Sequence, residues 1–145
     1  MFKHILIATD GSAASEGAAK LAVNLARVHG ARLTALFVVD YPEFGLGEES
    51  PTAFKNFMAS AMELAGEAHG KVQALCAAAS PAVDFHPKLV EDTTAPDGIT
   101  RAAREDGVDL VVVGSHGRTG LARLMLGSVA SKVVAESPVP VLVAR

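Results

Sequence analysis

Short apolar runs alternate with stretches of helical spacing along this chain. Ile5 to Thr9 is a β-branched run that stops at Asp10-Gly11-Ser12, the pattern of a buried strand followed by a turn. Ala18, Leu21, Ala22, Leu25 and Ala26 then recur at helical spacing. Ser12 or Ser15 can cap that helix and Gly30 can stop it. Ala31 to Val39 is the second predicted strand, ending at Asp40. Tyr41 to Pro51 carries Gly45, Gly47 and two prolines and reads as a mobile surface loop. Thr52 to about Ala79 reads as one long alanine-rich helix, with Gly66 and Gly70 as candidate break points. Val83 to Val90 is the third strand, and Pro87 within it predicts an irregular or distorted position. Pro96 opens a helix through Ile99, Ala102 and Ala103 that ends near Gly107. Leu110 to Val113 is a fully apolar strand; a glycine-rich loop follows from Gly114 to Gly127. Ser128 to Glu136 is the last helix and Val139 to Ala144 the last strand.

Five strands thus alternate with helices, which predicts an α/β fold: a five-stranded parallel sheet with helices on both faces. One domain spanning residues 1–145 is expected. In such sheets ligands bind beyond the carboxyl ends of the strands, where the strand order reverses. Asp10, the Val38–Asp40 segment and Gly114 all fall at such ends.

Composition narrows the picture. Half of the residues are hydrophobic but only 5% are aromatic, with no Trp. The core must therefore be built from Val, Leu, Ile and Ala. The net charge of −3, with charges mixed along the chain, argues against nucleic acid as a partner. A small anion held by backbone N–H groups needs no net positive charge and stays possible. The single cysteine, Cys76, cannot form an intramolecular disulfide and reads as a buried, inert thiol. The opening apolar run is cut by Asp10 and reads as neither a signal peptide nor a membrane span; a cytoplasmic protein with no membrane partner is expected. His4, His29, His69 and His86 are scattered and read as ordinary surface or packed residues.

The chemistry concentrates after the fourth strand, in VVVGSHGRTGLARLMLGSVASKVV from Val111. Glycines let the backbone approach an anion, successive N–H groups can form a concave nest, and a helix starting at Gly127-Ser128 adds unpaired donors and the positive end of its dipole. The Ser128 hydroxyl can donate to a phosphate oxygen. The Walker pattern is absent from the sequence. The dinucleotide fingerprint is excluded because the first turn is Asp10-Gly11-Ser12, a carboxylate where a pyrophosphate would approach.

Gly114-x2-Gly117-x9-Gly127-Ser128 resembles the G-x2-G-x9-G-[ST] motif of the ATP-binding universal stress proteins. His4 to Ser12, Ala35 to Asp40, Asp109 to Gly117 and Ser137 to Ala144 are similar to further segments of that family in the same order. The resemblance implies a Rossmann-like fold of the adenine nucleotide alpha hydrolase-like kind. It also implies a set of nucleotide contacts. Asp10, preceded by Ala8 and Thr9, would lie beside adenosine; Val38 would line the adenine pocket; Val113 and Gly114 would pass near the ribose and phosphates; His116, Gly117, Gly127, Ser128 and Val129 would surround the phosphates. Ala8 is a departure, since ATP-binding relatives can carry proline there. The implied cofactor is ATP, with a divalent cation, Mg or Mn, shared by the phosphates. Asp10 could alternatively serve as a helix cap, and Arg118 and Arg123 either clamp the γ-phosphate or solvate the loop.

Three functions follow from these residues: a nucleotide-responsive regulatory stress protein, a slow ATPase or nucleotidyl-transfer enzyme on the same fold, or a nucleotide-free structural dimer. No residue reads as a dedicated base, so the first is the leading expectation. The apolar last strand, if it lies at a sheet edge, is a template for pairing with a second copy, and the resemblance implies a homodimer through that strand.

Overall fold

A computed structural model describes residues 1–41, 51–116 and 126–145. Its elements are β1 (His4–Ala8), α1 (Ala13–His29), β2 (Arg32–Val39), α2 (Pro51–Ala78), β3 (Phe85–Glu91), α3 (Ala95–Glu105), β4 (Leu110–Gly114), α4 (Ser128–Glu136) and β5 (Val141–Ala144). The five strands pair in the order β3-β2-β1-β4-β5, all parallel. The expected α/β architecture is therefore present, and β1 and β4 form its centre.

Side chains alternate across the sheet as the pleat requires. Ile5 and Ile7 of β1 pack with Ala18, Ala22 and Ala26 of α1 and with Val72 and Cys76 of α2. Leu6 packs on the other face with Ile99, Ala102 and Ala103 of α3 and Ala130 and Val133 of α4. Phe37 and Val39 of β2 meet Ala61, Ala65 and Ala68 of α2. The small alanines let the helices lie close to a sheet of branched aliphatic residues, which is how a core with little aromatic content fills.

One open alternative closes and two sequence expectations need correction. The long helix α2 runs unbroken through Gly66 and Gly70. Its buried stripe of Ala61, Ala65, Ala68, Val72 and Cys76 continues on one side of both glycines, and that burial outweighs their poor propensity. Pro87 sits in a regular edge strand, in register with Ala35 of β2; an edge position tolerates a residue with no N–H. Finally, β5 begins at Val141 rather than Val139. The Tyr41–Pro51 loop falls, between its two end residues, outside the described residues.

Capping followed the sequence more closely. Ser12, not Ser15, caps α1: its Oγ accepts from the Ser15 N–H at 3.2 Å. Gly30 ends that helix in the left-handed region, φ +66°. Thr94 caps α3, with Pro96 in the first turn.

Candidate functional site

The sheet order reverses beside β1. The chain leaves β1 through α1 toward β2 on one side, while β4 lies on the other. At such a reversal the connections from adjacent strands leave a crevice beyond the strand ends. The crevice is a cleft of about 270 Å³, close to the lower end, ~300 Å³, of typical ligand pockets.

One wall of the cleft is the β1 turn. The Thr9 N–H donates to the Leu36 carbonyl at 3.0 Å, which holds the turn against β2. Asp10 Oδ1 accepts from the Ser12 N–H at 2.9 Å, an Asx turn that delivers the chain into α1. Asp10 therefore shapes the helix entry, but the cap itself is Ser12. Gly11 takes φ +77°, a conformation that glycine adopts without strain. The Thr9 and Ser15 hydroxyls lie 3.3 Å apart at the cleft edge.

A second wall is apolar: Leu36 and Val38 of β2, Ala8 of β1 and Val113 of β4 face Ala95 and Ile99 of α3. Its surface offers apolar contact and few polar groups.

The third wall begins where β4 ends. The Ser115 N–H donates to the Ala144 carbonyl at 2.7 Å, and the Gly127 N–H donates to the Ser115 carbonyl at 2.8 Å. These two bonds close the base of the loop that runs between them. A Cβ on Gly127 would stand 2.7 Å from that same Ser115 oxygen, so the closure admits only glycine. Ser115 Oγ and His116 Nδ1 are 3.0 Å apart and both residues line the cleft. Helix α4 then starts at Ser128, with Gly127 as its N-cap and no side-chain cap among the described residues. The Ser131 N–H closes the first turn on the Gly127 carbonyl at 2.9 Å. The N–H groups of Ser128, Val129 and Ala130 precede that bond and have no partner within the helix. All three residues line the cleft. By contrast α1 and α3 are closed by the side chains of Ser12 and Thr94.

The structure thus gathers Ala8, Thr9, Asp10, Val38, Val113, Gly114, His116, Gly127, Ser128 and Val129 around one cleft. Gly117, like Arg118 and Arg123, lies outside the described residues. Sequence reasoning missed Ser15, Leu36, Ala95, Ile99, Ser115 and Ala130, which also line it. Leu36 carried a signal, since it shares a strand face with Val38. Ala95 and Ile99 carried none, because only the crossover of α3 over the sheet brings them to β1 and β4. Among the described residues no cluster of three or more potential metal ligands occurs. Cys76 lies away from the cleft, fully buried, and burial pushes its thiol up to about 11, which keeps it unreactive.

The model of the universal stress protein family matches residues 1–145. The chain belongs to the universal stress protein family. A universal stress protein of Thermus aquaticus is 37% identical over 145 residues, covering all of both chains. The universal stress protein UspA from Lactobacillus plantarum superposes with a TM-score of 0.82 at 28% identity, covering 99% of this chain and 98% of that one. A universal stress protein determined in complex with cAMP superposes with a TM-score of 0.70 at 25% identity, covering 99% and 97%. The universal stress protein fold therefore accounts for the whole sheet and its helices.

Proposed function

We propose that this universal stress protein binds ATP in the cleft and works as a nucleotide-responsive regulator in stress response. The observation that carries the proposal is the start of α4. Two helices that begin at the carboxyl edge of the sheet carry a side-chain N-cap, whereas α4 has none among the described residues and its first residues, Ser128, Val129 and Ala130, line the cleft. The positive end of a helix with no side-chain cap favours an anion such as phosphate.

The residues fit a nucleotide. The apolar lining that includes Val38 and Ile99 suits the adenine ring, Asp10 would accept from an amine or hydroxyl beside it, and Gly114, His116, Gly127, Ser128 and Val129 would surround the phosphate end. Gly117 belongs to the same motif. The Gly127 N–H is engaged by Ser115, so its part is to close the loop rather than to donate to phosphate. A similar protein that holds cAMP, itself an adenine nucleotide, supports the same reading. A divalent cation, Mg or Mn, would be held chiefly by the phosphates. The protein would act as one domain in the cytoplasm, paired with a second copy through β5. No helix among the described residues is long and apolar enough to cross a membrane. With no dedicated base in the sequence, ATP serves as a ligand that changes shape or partners, with slow turnover at most.

Thermal unfolding with and without Mg-ATP tests the proposal. A ligand present at a hundred times its Kd stabilises the fold by ~2.7 kcal/mol. The midpoint should rise with Mg-ATP and rise less with Mg-GTP. A midpoint unmoved by millimolar Mg-ATP would refute ATP binding.

A further inference from the structure

We infer that the Ser15 hydroxyl positions Asp10 for the nucleotide, as the middle link of a hydrogen-bond chain that pins the turn after β1. The inference rests on the nucleotide reading and gives a role in affinity to a residue outside the set expected from the sequence.

Ser15 is a buried polar residue in the first turn of α1. Its Oγ lies 2.9 Å from the Ser12 carbonyl oxygen and 3.3 Å from Thr9 Oγ1. A carbonyl oxygen only accepts, so the one hydroxyl proton of Ser15 goes to Ser12. The Thr9 hydroxyl is then the donor to Ser15. Thr9 Oγ1 accepts in its turn from the Gly11 N–H at 3.2 Å. The donations therefore run one way: Gly11 to Thr9, Thr9 to Ser15, Ser15 to the Ser12 carbonyl. A helical serine often bonds a carbonyl one turn back, and that bond alone would be local. The Thr9 hydroxyl on the same oxygen extends it across the turn and ties the end of β1 to the start of α1.

The turn enclosed by this chain is Asp10-Gly11-Ser12. Gly11, at φ +77°, is its loosest point, because glycine has the widest choice of backbone conformation. Side chains hold it from two directions. Its N–H is taken by Thr9, and its carbonyl accepts from Lys71 Nζ of α2 at 3.2 Å. The Asp10 carboxylate accepts from the Ser12 N–H, so its place follows from the same turn. Thr9 and Ser15 line both the cleft and a second cavity of about 290 Å³, itself lined by α1 and α2. With space on hand in two cavities, hydrogen bonds rather than close packing fix the two hydroxyls. Breaking the chain loosens the turn, and a ligand that meets Asp10 must then order it, which lowers affinity.

Titration calorimetry with Mg-ATP and amide hydrogen exchange of the ligand-free full chain test the inference. Ser15→Ala and Thr9→Val should each weaken ATP by about tenfold, the scale of one hydrogen bond lost from a buried chain. Thr9→Ser keeps the hydroxyl and should bind ATP as the wild type does. The double variant Thr9→Val/Ser15→Ala should lose no more than the worse single variant, because one chain is broken only once. Losses that add would show two separate contacts and overturn the inference. Without ligand, the Gly11 amide should exchange faster in Ser15→Ala than in the wild type, while Ala22 and Ala26 of α1 exchange alike in both. Equal exchange at Gly11 would overturn the chain whatever ATP does. If Ser15→Ala fails to fold, Thr9→Val set against Thr9→Ser reads the same chain. A wild type that binds no ATP would overturn the nucleotide reading and this inference with it. A wild type that binds ATP, beside a folded Ser15→Ala variant that binds it equally well, would overturn the inference alone.

Discussion

Gly127 stands where one methyl group is too many. Its φ is −61°, available to any residue, so the obstacle is contact and not conformation. The Cβ of an alanine would lie 2.7 Å from the Ser115 carbonyl oxygen and 3.5 Å from the His116 Cα. That oxygen has little freedom. It accepts from Gly127 itself at 2.8 Å, and the Ser115 N–H is anchored on Ala144 of β5 at 2.7 Å. Gly127→Ala must therefore lengthen the Gly127–Ser115 bond, pull Ser115 from β5, or tilt the start of α4. Overpacking of this kind costs ~1–3 kcal/mol, and one weakened hydrogen bond ~0.5–1.5 kcal/mol. Relief of the first causes the second, so the two do not add. We expect a loss of about 1–3 kcal/mol in urea unfolding with the slope unchanged. ATP binding should fall by about tenfold or more, because α4 carries the donors. Gly17→Ala, at an exposed and open helical position, is the control and should gain up to ~1 kcal/mol. A Gly127→Ala variant with the wild-type urea midpoint and wild-type ATP titration would refute the idea that this contact closes the loop.

Two further outcomes are expected. His4 is buried, with Nδ1 3.1 Å from the Asp106 carbonyl and Nε2 2.7 Å from Thr34 Oγ1; a carbonyl only accepts, so Nδ1 carries the proton and Nε2 accepts from the hydroxyl. Burial, then the charge of Arg32, lowers its pKa below 6.5 against the opposing pull of Asp106 and Asp109. The unfolded chain therefore takes up the proton first as pH falls, so this stability is present above 6.5 and is lost below it. Urea midpoints at mildly acidic and neutral pH should differ less in His4→Gln than in the wild type; equal differences would exclude His4 as the cause. The second outcome concerns β5, which is an edge strand. Its Pro140 and Ala144 carbonyls face β4, accepting from Val111 and Ser115, so Val141 and Val143 turn their N–H groups outward. Val143→Pro removes an outward donor and leaves the β4 pairing intact, and light scattering at micromolar concentration should show a dimer become a monomer. A wild-type monomer under those conditions would refute pairing through β5.

Much of this was legible in the sequence, and the reasons differ by element. Leu110–Gly114 could be seen because four apolar residues bounded by Asp109 and Gly114 are too short for a helix and too apolar for a surface loop. Ser12, Gly30 and Pro96 marked helix ends because their roles depend on local backbone chemistry. The continuous reading of α2 holds over a break at Gly66 or Gly70 because propensity acts locally, while the stripe from Ala61 to Cys76 is buried by β2 and α1, which are distant in sequence. The cleft divides in the same way. Motif spacing pointed to Gly114, Gly127 and Ser128, which follow one another along one loop and helix. Ile99 and Ala95 stayed hidden because they depend on where α3 crosses the sheet. Charged substitutions on β5 would test that pairing poorly: Val141 and Val143 pack their side chains against the core beside α3 and α4, so a charge there would damage the monomer as well as any interface.

Gly127 links loop closure to the open helix. A serine or threonine at an N-cap stabilises a helix by ~1 kcal/mol relative to alanine, and Ser12 and Thr94 fill that role for α1 and α3. The corresponding position of α4 cannot take such a residue, because any Cβ there meets the Ser115 oxygen at 2.7 Å. Glycine is the residue that remains, and it brings no side chain to satisfy the first turn. The hydroxyl of Ser128 arrives one position too late to cap in the usual way. Closing the β4 loop by the Gly127–Ser115 bond and leaving α4 without a side-chain cap are therefore one choice of residue. A variant able to cap α4 from position 127 must first open the loop, and the proposed ATP binding would be lost by either route.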